Sequence, residues 1–193
     1  MTALGIFTSV GSFEYVFWVI LIIMESGVEN IDWESWEPAE KAVIVYIIDR
    51  KRNNLLLIHK KTGLGKGMIN APGGRIEKGE SPEASAIRER QEEVSLKPLN
   101  LEKRVELHFQ FTSGYSIYGD VFFSEAWEGE MAESDEAKPF WCDLDKIPWE
   151  QMWEDDKLWL PQAMEGKKLR GFFIFDDEKM LWEKLEEVEC FGH

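Results

Sequence analysis

Three glutamates, Glu89, Glu92 and Glu93, stand at i, i+3 and i+4 within the stretch Gly74 to Leu96. On an α-helix those offsets bring side chains out on one side. Crowded carboxylates repel one another by roughly 0.2–0.5 kcal/mol per exposed pair. The grouping therefore makes physical sense where a hard divalent cation neutralises it through oxygen ligands. Arg88 beside them can orient one carboxylate. Taken alone, the same glutamates also suit a solvated acidic helix face, which is common in a chain this acidic.

The helix that must carry them has clear ends. Ser81-Pro82-Glu83 supplies a capping hydroxyl, a proline at the first helical position and an acid in the first turn, so the helix is expected to run to about Val94, with Pro98 barring further continuation. Ala84, Ile87 and Val94 fall on another side and are expected to pack on a sheet. Upstream, Ala42 to Asp49 (AVIVYIID) reads as a buried strand, Arg50 to Asn54 as a turn and Leu55 to His59 as a second strand. Lys60 to Ile69, with Gly63, Gly65 and Gly67, reads as a surface loop, and Pro72-Gly73-Gly74 as a tight bend before the helix. Downstream, strands are expected at Val105 to Phe111, Ile117 to Phe123, Phe140 to Leu144 and Gly171 to Phe175. An acidic loop covers Glu128 to Glu136 and helical texture Asp155 to Met164. The tail from Asp176 to Glu189 reads equally as strand or helix. Strands with a few interspersed helices imply an α+β domain built on a mixed sheet.

The chain has 193 residues and a formal charge of −15, enough length for one packed domain and the wrong charge for gripping long nucleic acid. An acidic protein that handles phosphates needs positive charge brought in locally, and a divalent cation supplies it. Cys142 and Cys190 fit no metal-ligand or CxxC spacing and read as reduced thiols of a cytoplasmic protein. His59, His108 and His193 are scattered. Residues 1–37 read as an N-terminal extension and 38–190 as the folded domain. Within the extension, Tyr15 to Met24 is an apolar run of ten residues, short of the roughly 20 that span a bilayer. No Lys or Arg precedes Lys41, so neither a secretory signal nor a flanked membrane anchor is indicated; Met24 is the expected natural start and residues 1–23 an over-extended frame. No extended apolar surface pattern demands a partner, and a monomer is expected.

Gly74, Glu80, Arg88, Glu89, Glu92, Glu93 and Leu96 fall in register with the signature box of the Nudix hydrolases, which the segment resembles. Two positions depart from it. Arg90 stands where the family has an aliphatic residue, its stem expected to pack while its head reaches water. Ser95 stands where the family has glycine, which puts the helix end in question. The resemblance implies an α/β/α sandwich with a mixed sheet and a loop–helix–loop catalytic motif. It also implies magnesium or manganese held by Glu89, Glu92 and Glu93, with the Gly73 carbonyl as a further ligand, and metal-assisted hydrolysis of a nucleotide's phosphate chain.

A second resemblance, to the branch of that family acting on oxidised purine nucleoside triphosphates, covers roughly Val43 to Phe175. It rests on GLGKGMINAPGGR, ESDEAKPFW, DKIPWEQMWEDDKLWLP and GFFIF. It implies a further metal carboxylate at Glu136 and a base pocket of Asn70, Trp153, Asp155 and Asp156. It also places Lys60, Gly73, Gly74 and Arg75 near the substrate and lines the pocket with Phe109 and Phe111. Trp153 can stack on a base, and two aspartates buried side by side do not both ionise cheaply. Leu64 replaces a pocket phenylalanine and Val43 a threonine. Trp159 reads as core, and Asp155 read without the resemblance is a helix cap. The reaction implied is hydrolysis of 8-oxo-dGTP- or 2-oxo-dATP-type nucleotides to the monophosphate and pyrophosphate. Another nucleoside-diphosphate-linked substrate, or a silent ligand-sensing domain, remains open at this point.

Overall fold

The computed structural model describes residues 31–192. The chain divides between Glu37 and Pro38. Of the first unit the described residues are 31–37, where Ser35 Oγ donates to the Asp32 carboxylate at 2.8 Å. The apolar run and the start-site reading lie outside the described residues. Among the described residues, no helix is long and apolar enough to cross a membrane.

The second unit is built on a mixed sheet. Strands β1 (Glu40–Asp49), β2 (Asn54–Lys60), β3 (Ile69–Asn70) and β4 (Gly73–Arg75) precede helix α1 (Pro82–Val94). Then come β5 (Lys97–Leu99), β6 (Glu102–Phe111), β7 (Ser116–Ser124), β8 (Ala126–Glu128), β9 (Ala137–Asp143), α2 (Asp156–Met164), β10 (Leu169–Asp176) and β11 (Lys179–Glu187). The main sheet runs β11-β10-β6-β7-β1-β2-β3, with β4 on β1 and β9 on β2. β1 pairs β7 in parallel and β6 pairs β10 in parallel, while the other main-sheet pairs are antiparallel. β5 and β8, some thirty residues apart, form a small separate ribbon that no local sequence signal marks.

The period of two along β1 sorts its residues onto two faces. Tyr46 and Ile48 join the core that also holds Trp159, Leu160 and Ala163 of α2. Ile47 packs with Val94 of α1, and Val43 and Val45 with Ala86. A helix thus covers each face, the sandwich the resemblance implies. Each fully buried Leu, Ile or Val side chain stabilises this arrangement by roughly 1.5–3 kcal/mol. The open tail resolves as strand: Asp177 turns at φ 54, which folds β11 back antiparallel on β10.

Helix α1 begins as its sequence dictates, with Ser81 Oγ accepting from Ala84 N–H at 3.2 Å and Pro82 next. Its packing departs from expectation at two positions. Ala84 is exposed, and Ala86 two residues on is the alanine that meets the sheet. Arg90 does not reach water: it is 0% exposed, and Nε, Nη1 and Nη2 have no hydrogen-bond partner. The expected escape fails because Arg90 sits on the sheet-facing side, one turn before buried Val94, where the family's aliphatic would pack. Burial pushes its pKa down to about 9, against the pull of Glu93. Ser95, in contrast, adopts the glycine conformation, φ 60 and ψ 21, and ends the helix by donating its N–H to Gln91 O. The helix end therefore survives the substitution, at a cost of roughly 1 kcal/mol for a left-handed non-glycine residue.

Candidate active site

The α1 glutamates do not share one environment. Glu93 is 3% exposed, accepts from the Gly73 N–H at 2.9 Å and lies 3.5 Å from Lys60 Nζ. Burial holds its pKa above the usual carboxylate range; Lys60 and the Gly73 bond pull it back, and the charges of Glu89 and Glu136 push it up again. Glu89 takes Arg88 Nη1 at 2.7 Å, and the same nitrogen reaches Glu92 at 3.2 Å. The other edge of Arg88 grips Glu80 through Nε (3.0 Å) and Nη2 (2.9 Å). That bidentate grip holds Glu80 down at about 2 and raises the guanidinium's own pKa. Arg88 thus clamps three carboxylates where its sequence position had indicated one.

Two glycines let this helix approach the sheet. A Cβ on Gly73 would overlap the Val43 carbonyl oxygen, and one on Gly74 would overlap the Glu89 carboxylate. Their requirement is close approach, not unusual φ. β4 pairs with β1, Val43 opposite Gly74 and Ile44 opposite Gly73. That pairing sets the loop against the sheet centre and the glutamates over it.

A single cavity of about 480 Å3 opens from these residues. Glu89, Glu92, Glu136, Gly73 and Gly74 line one end; Phe109, Phe111, Trp153, Asp155 and Asp156 line the other, with Lys60, Asn70 and Arg75 also on its walls. Of the residues singled out in the sequence, Glu93 and Arg88 stand outside the lining and act on it through Lys60, Gly73, Glu89 and Glu92. Glu40, Tyr46, Tyr115, Ile117 and Gly119 also line it and went unremarked. Tyr46 carried a faint signal, as the one hydroxyl in an otherwise apolar strand centre. Glu40 and Tyr115 carried none, because strand register alone brings them together.

The aspartates at the far end are deeply placed, Asp155 1% and Asp156 6% exposed. Trp159 Nε1 donates to Asp155 Oδ2 at 2.9 Å, while Asp155 Oδ1 has no partner. Asp155 precedes α2 yet makes no side-chain cap bond, so its carboxyl is not spent on the helix end. Burial raises both acids, Asp155 to about 6 and Asp156 well above its ordinary range, where the Asp155 charge adds to the effect and a Tyr46 hydrogen bond opposes it. Trp153 is held edge-on by Phe111 (76°, 6.3 Å) and Phe175 (88°, 5.4 Å). Gly65, at φ 75, makes room for it: a Cβ there would lie 3.0 Å from Trp153 Nε1 and 2.9 Å from Asn70 Nδ2. Leu64, which takes the place of a pocket phenylalanine, is 47% exposed at the rim.

Among the described residues no three His, Cys, Asp or Glu side chains already converge as a closed metal cage. The donor chemistry nonetheless fits a hard cation. Glu89, Glu92 and Glu136 face one space, and the mutual repulsion felt by Glu93, Glu89 and Glu136 is what a divalent ion would relieve. Glu89 and Glu92 each give one oxygen to Arg88 Nη1, which leaves the other oxygen of each for a cation.

The NUDIX domain family matches residues 38–163. The chain belongs to the Nudix family. It is 42% identical over 137 residues to an oxidized purine nucleoside triphosphate hydrolase of Danio rerio, covering 70% of this chain and 88% of that protein. A protein of the same name from Mus musculus is 35% identical over 150 residues, 77% and 95% of the two chains. Among solved structures, a MutT protein from Bacillus halodurans superposes with a TM-score of 0.67 at 26% identity, covering 76% of this chain and 97% of that one. The Nudix helix is α1, and divalent metals serve Nudix hydrolases generally.

Proposed function

We propose that the protein hydrolyses oxidised or otherwise modified purine nucleoside triphosphates, of the 8-oxo-dGTP and 2-oxo-dATP type, to the nucleoside monophosphate and pyrophosphate, so clearing damaged precursors from the nucleotide pool. One observation carries this reading. A single cavity joins Nudix-helix carboxylates at one end to an aromatic wall and a buried aspartate pair at the other. The Danio and Mus relatives named for this activity support it over most of their length. We place the reaction in the cytoplasm and assign it to the monomer; the free thiols Cys142 and Cys190 accord with a reducing compartment.

Magnesium, with manganese as substitute, is the cation we assign to Glu89, Glu92, Glu93 and Glu136 with the Gly73 carbonyl. When bound it supplies Lewis-acid screening of phosphate charge and a more acidic water. The residues do the rest. Arg88 holds Glu89 and Glu92 in place through its grip on Glu80. Lys60 and the Gly73 N–H favour the ionised form of the buried Glu93 and oppose the upward push of burial. Trp153 offers a face to the base, a stack worth roughly 1–3 kcal/mol when well formed, and Asn70 offers a donor and an acceptor. Burial raises both acids, Asp156 the more strongly, and Trp159 anchors Asp155, so the pair favours sharing a single proton. The two then present one donor and one acceptor to a purine edge, which admits more than one oxidised base.

The test is a kinetic panel of 8-oxo-dGTP, 2-oxo-dATP, O6-methyl-dGTP, dGTP and ADP-ribose with magnesium, following pyrophosphate release. Preference for the oxidised purines over dGTP is expected, and Asp155→Asn or Asp156→Asn should narrow it. Turnover by Glu92→Gln at the wild-type rate would remove that glutamate from the metal site.

A further inference from the structure

The cavity poses a charge problem. Six carboxylates line it, Glu40, Glu89, Glu92, Glu136, Asp155 and Asp156, against two cations, Lys60 and Arg75. A bound divalent ion offsets part of this excess, yet a polyphosphate still meets an acidic wall. Lys60 lies 3.5 Å from Glu93 and its side chain is 19% exposed against 71% for Arg75, so Arg75 is the more open of the two cations to an anionic ligand.

Arg75 is unusually well held for a side chain 71% exposed. Its carbonyl accepts from Arg88 Nη2 at 3.1 Å and Ser85 Oγ at 3.3 Å, which ties its backbone to the Nudix helix. Its Nε lies 2.5 Å from Glu40 Oε2, and the same oxygen accepts the Tyr115 hydroxyl at 2.6 Å. Among the described residues neither Nη group is paired with a carboxylate, although the guanidinium also feels the Tyr115 hydroxyl. Glu40 opens β1, and Tyr115 follows β6, where its ring lies 5.7 Å from Phe111 of the aromatic wall. The guanidinium therefore stands between Gly74, packed on the Glu89 carboxylate, and the wall of the base pocket.

We propose that Glu40, itself fixed by Tyr115, is a positioning residue that presents the Arg75 guanidinium to the phosphate chain of the substrate. A free arginine loses rotamer freedom when it engages a ligand, and a side chain already tethered through Nε has less to lose. Orienting Nε inward leaves the two Nη groups, a planar fork suited to phosphate oxygens. This inference rests on reading the cavity as a nucleoside triphosphate site.

Two roles for Glu40 give opposite signs. Were it only a nearby negative charge, its removal would strengthen attraction for a polyanion and lower KM. As a tether, its removal frees Arg75 and raises KM. The experiment compares wild type, Glu40→Gln, Tyr115→Phe, Arg75→Ala and the Glu40→Gln/Arg75→Ala double variant on 8-oxo-dGTP with magnesium, with thermal melts alongside. Glu40→Gln is expected to raise KM about two- to tenfold with kcat within about twofold. Tyr115→Phe, which keeps every charge, should move KM the same way by less and serves if Glu40→Gln folds poorly. In the Arg75→Ala background Glu40→Gln should add nothing. A KM at or below wild type, or an equal penalty with and without Arg75, overturns the tether while leaving the site reading intact. A wild type that turns over none of the modified purine triphosphates overturns the site reading itself, and the tether with it.

Discussion

Arg90→Leu should make this protein more stable. Arg90 is fully buried on the sheet side of the Nudix helix, with all three guanidinium nitrogens unpaired. The fall of its pKa from the ordinary guanidinium range to about 9 corresponds to a penalty on the order of 5 kcal/mol at about 1.4 kcal/mol per unit. Trapped water would lower that figure, and replacing buried charge by apolar volume typically stabilises by about 1–4 kcal/mol. For a chain of this size each kcal/mol moves Tm by roughly 2–4 °C, so a rise of roughly 2–16 °C is expected at pH 7 by calorimetry. The sign of the pH dependence follows from linkage. Above about 9 the folded chain gives up a proton that the unfolded one still holds, so the wild type gains stability as pH rises past that value. The deficit relative to Arg90→Leu is therefore complete below about pH 9 and shrinks above it. An unchanged or lowered Tm at pH 7, or a difference that stays constant from pH 8 to 10, would refute the reasoning and show the guanidinium to be well solvated or partnered.

Gly74→Ala should spare the fold and cripple turnover, because the new methyl overlaps the Glu89 carboxylate. A loss of roughly 10–100-fold in metal affinity or activity is expected, read from magnesium titrations of kcat with circular dichroism as the folding control; wild-type behaviour would disprove the close packing. Asp155→Asn should raise Tm at pH 7 and have little effect at pH 4. The folded pKa of Asp155 is raised to about 6 by burial, so the folded state binds the extra proton, and the wild type loses stability as pH climbs from about 4 to 6. A Tm difference independent of pH across that range would count against a titrating Asp155.

The Nudix helix was legible in the chain because its signals are local. Ser81 and Pro82 start it through bonds three residues long, and the spacing of Glu89, Glu92 and Glu93 is a property of one helix. The apolar strands were equally plain, since Ala42 to Asp49 is short, apolar and rich in β-branched residues, the composition of a buried strand. The mixed sheet followed from strands and helices interleaved, and the residues of the base pocket from resemblance over most of the domain.

What the sequence by itself determined was therefore the set of elements and the chemistry gathered on one helix. Tertiary structure alone decided which groups meet across strands. It buried Arg90 without a partner, because helix phase and not side-chain polarity sets which face meets the sheet. It made Gly73 and Gly74 sites of close approach, since only the β1–β4 pairing brings Val43 and Glu89 onto them. It joined Glu40, Arg75 and Tyr115, up to 75 residues apart, on a single carboxylate oxygen. Such contacts belong to strand register, which depends on every pairing in the sheet at once.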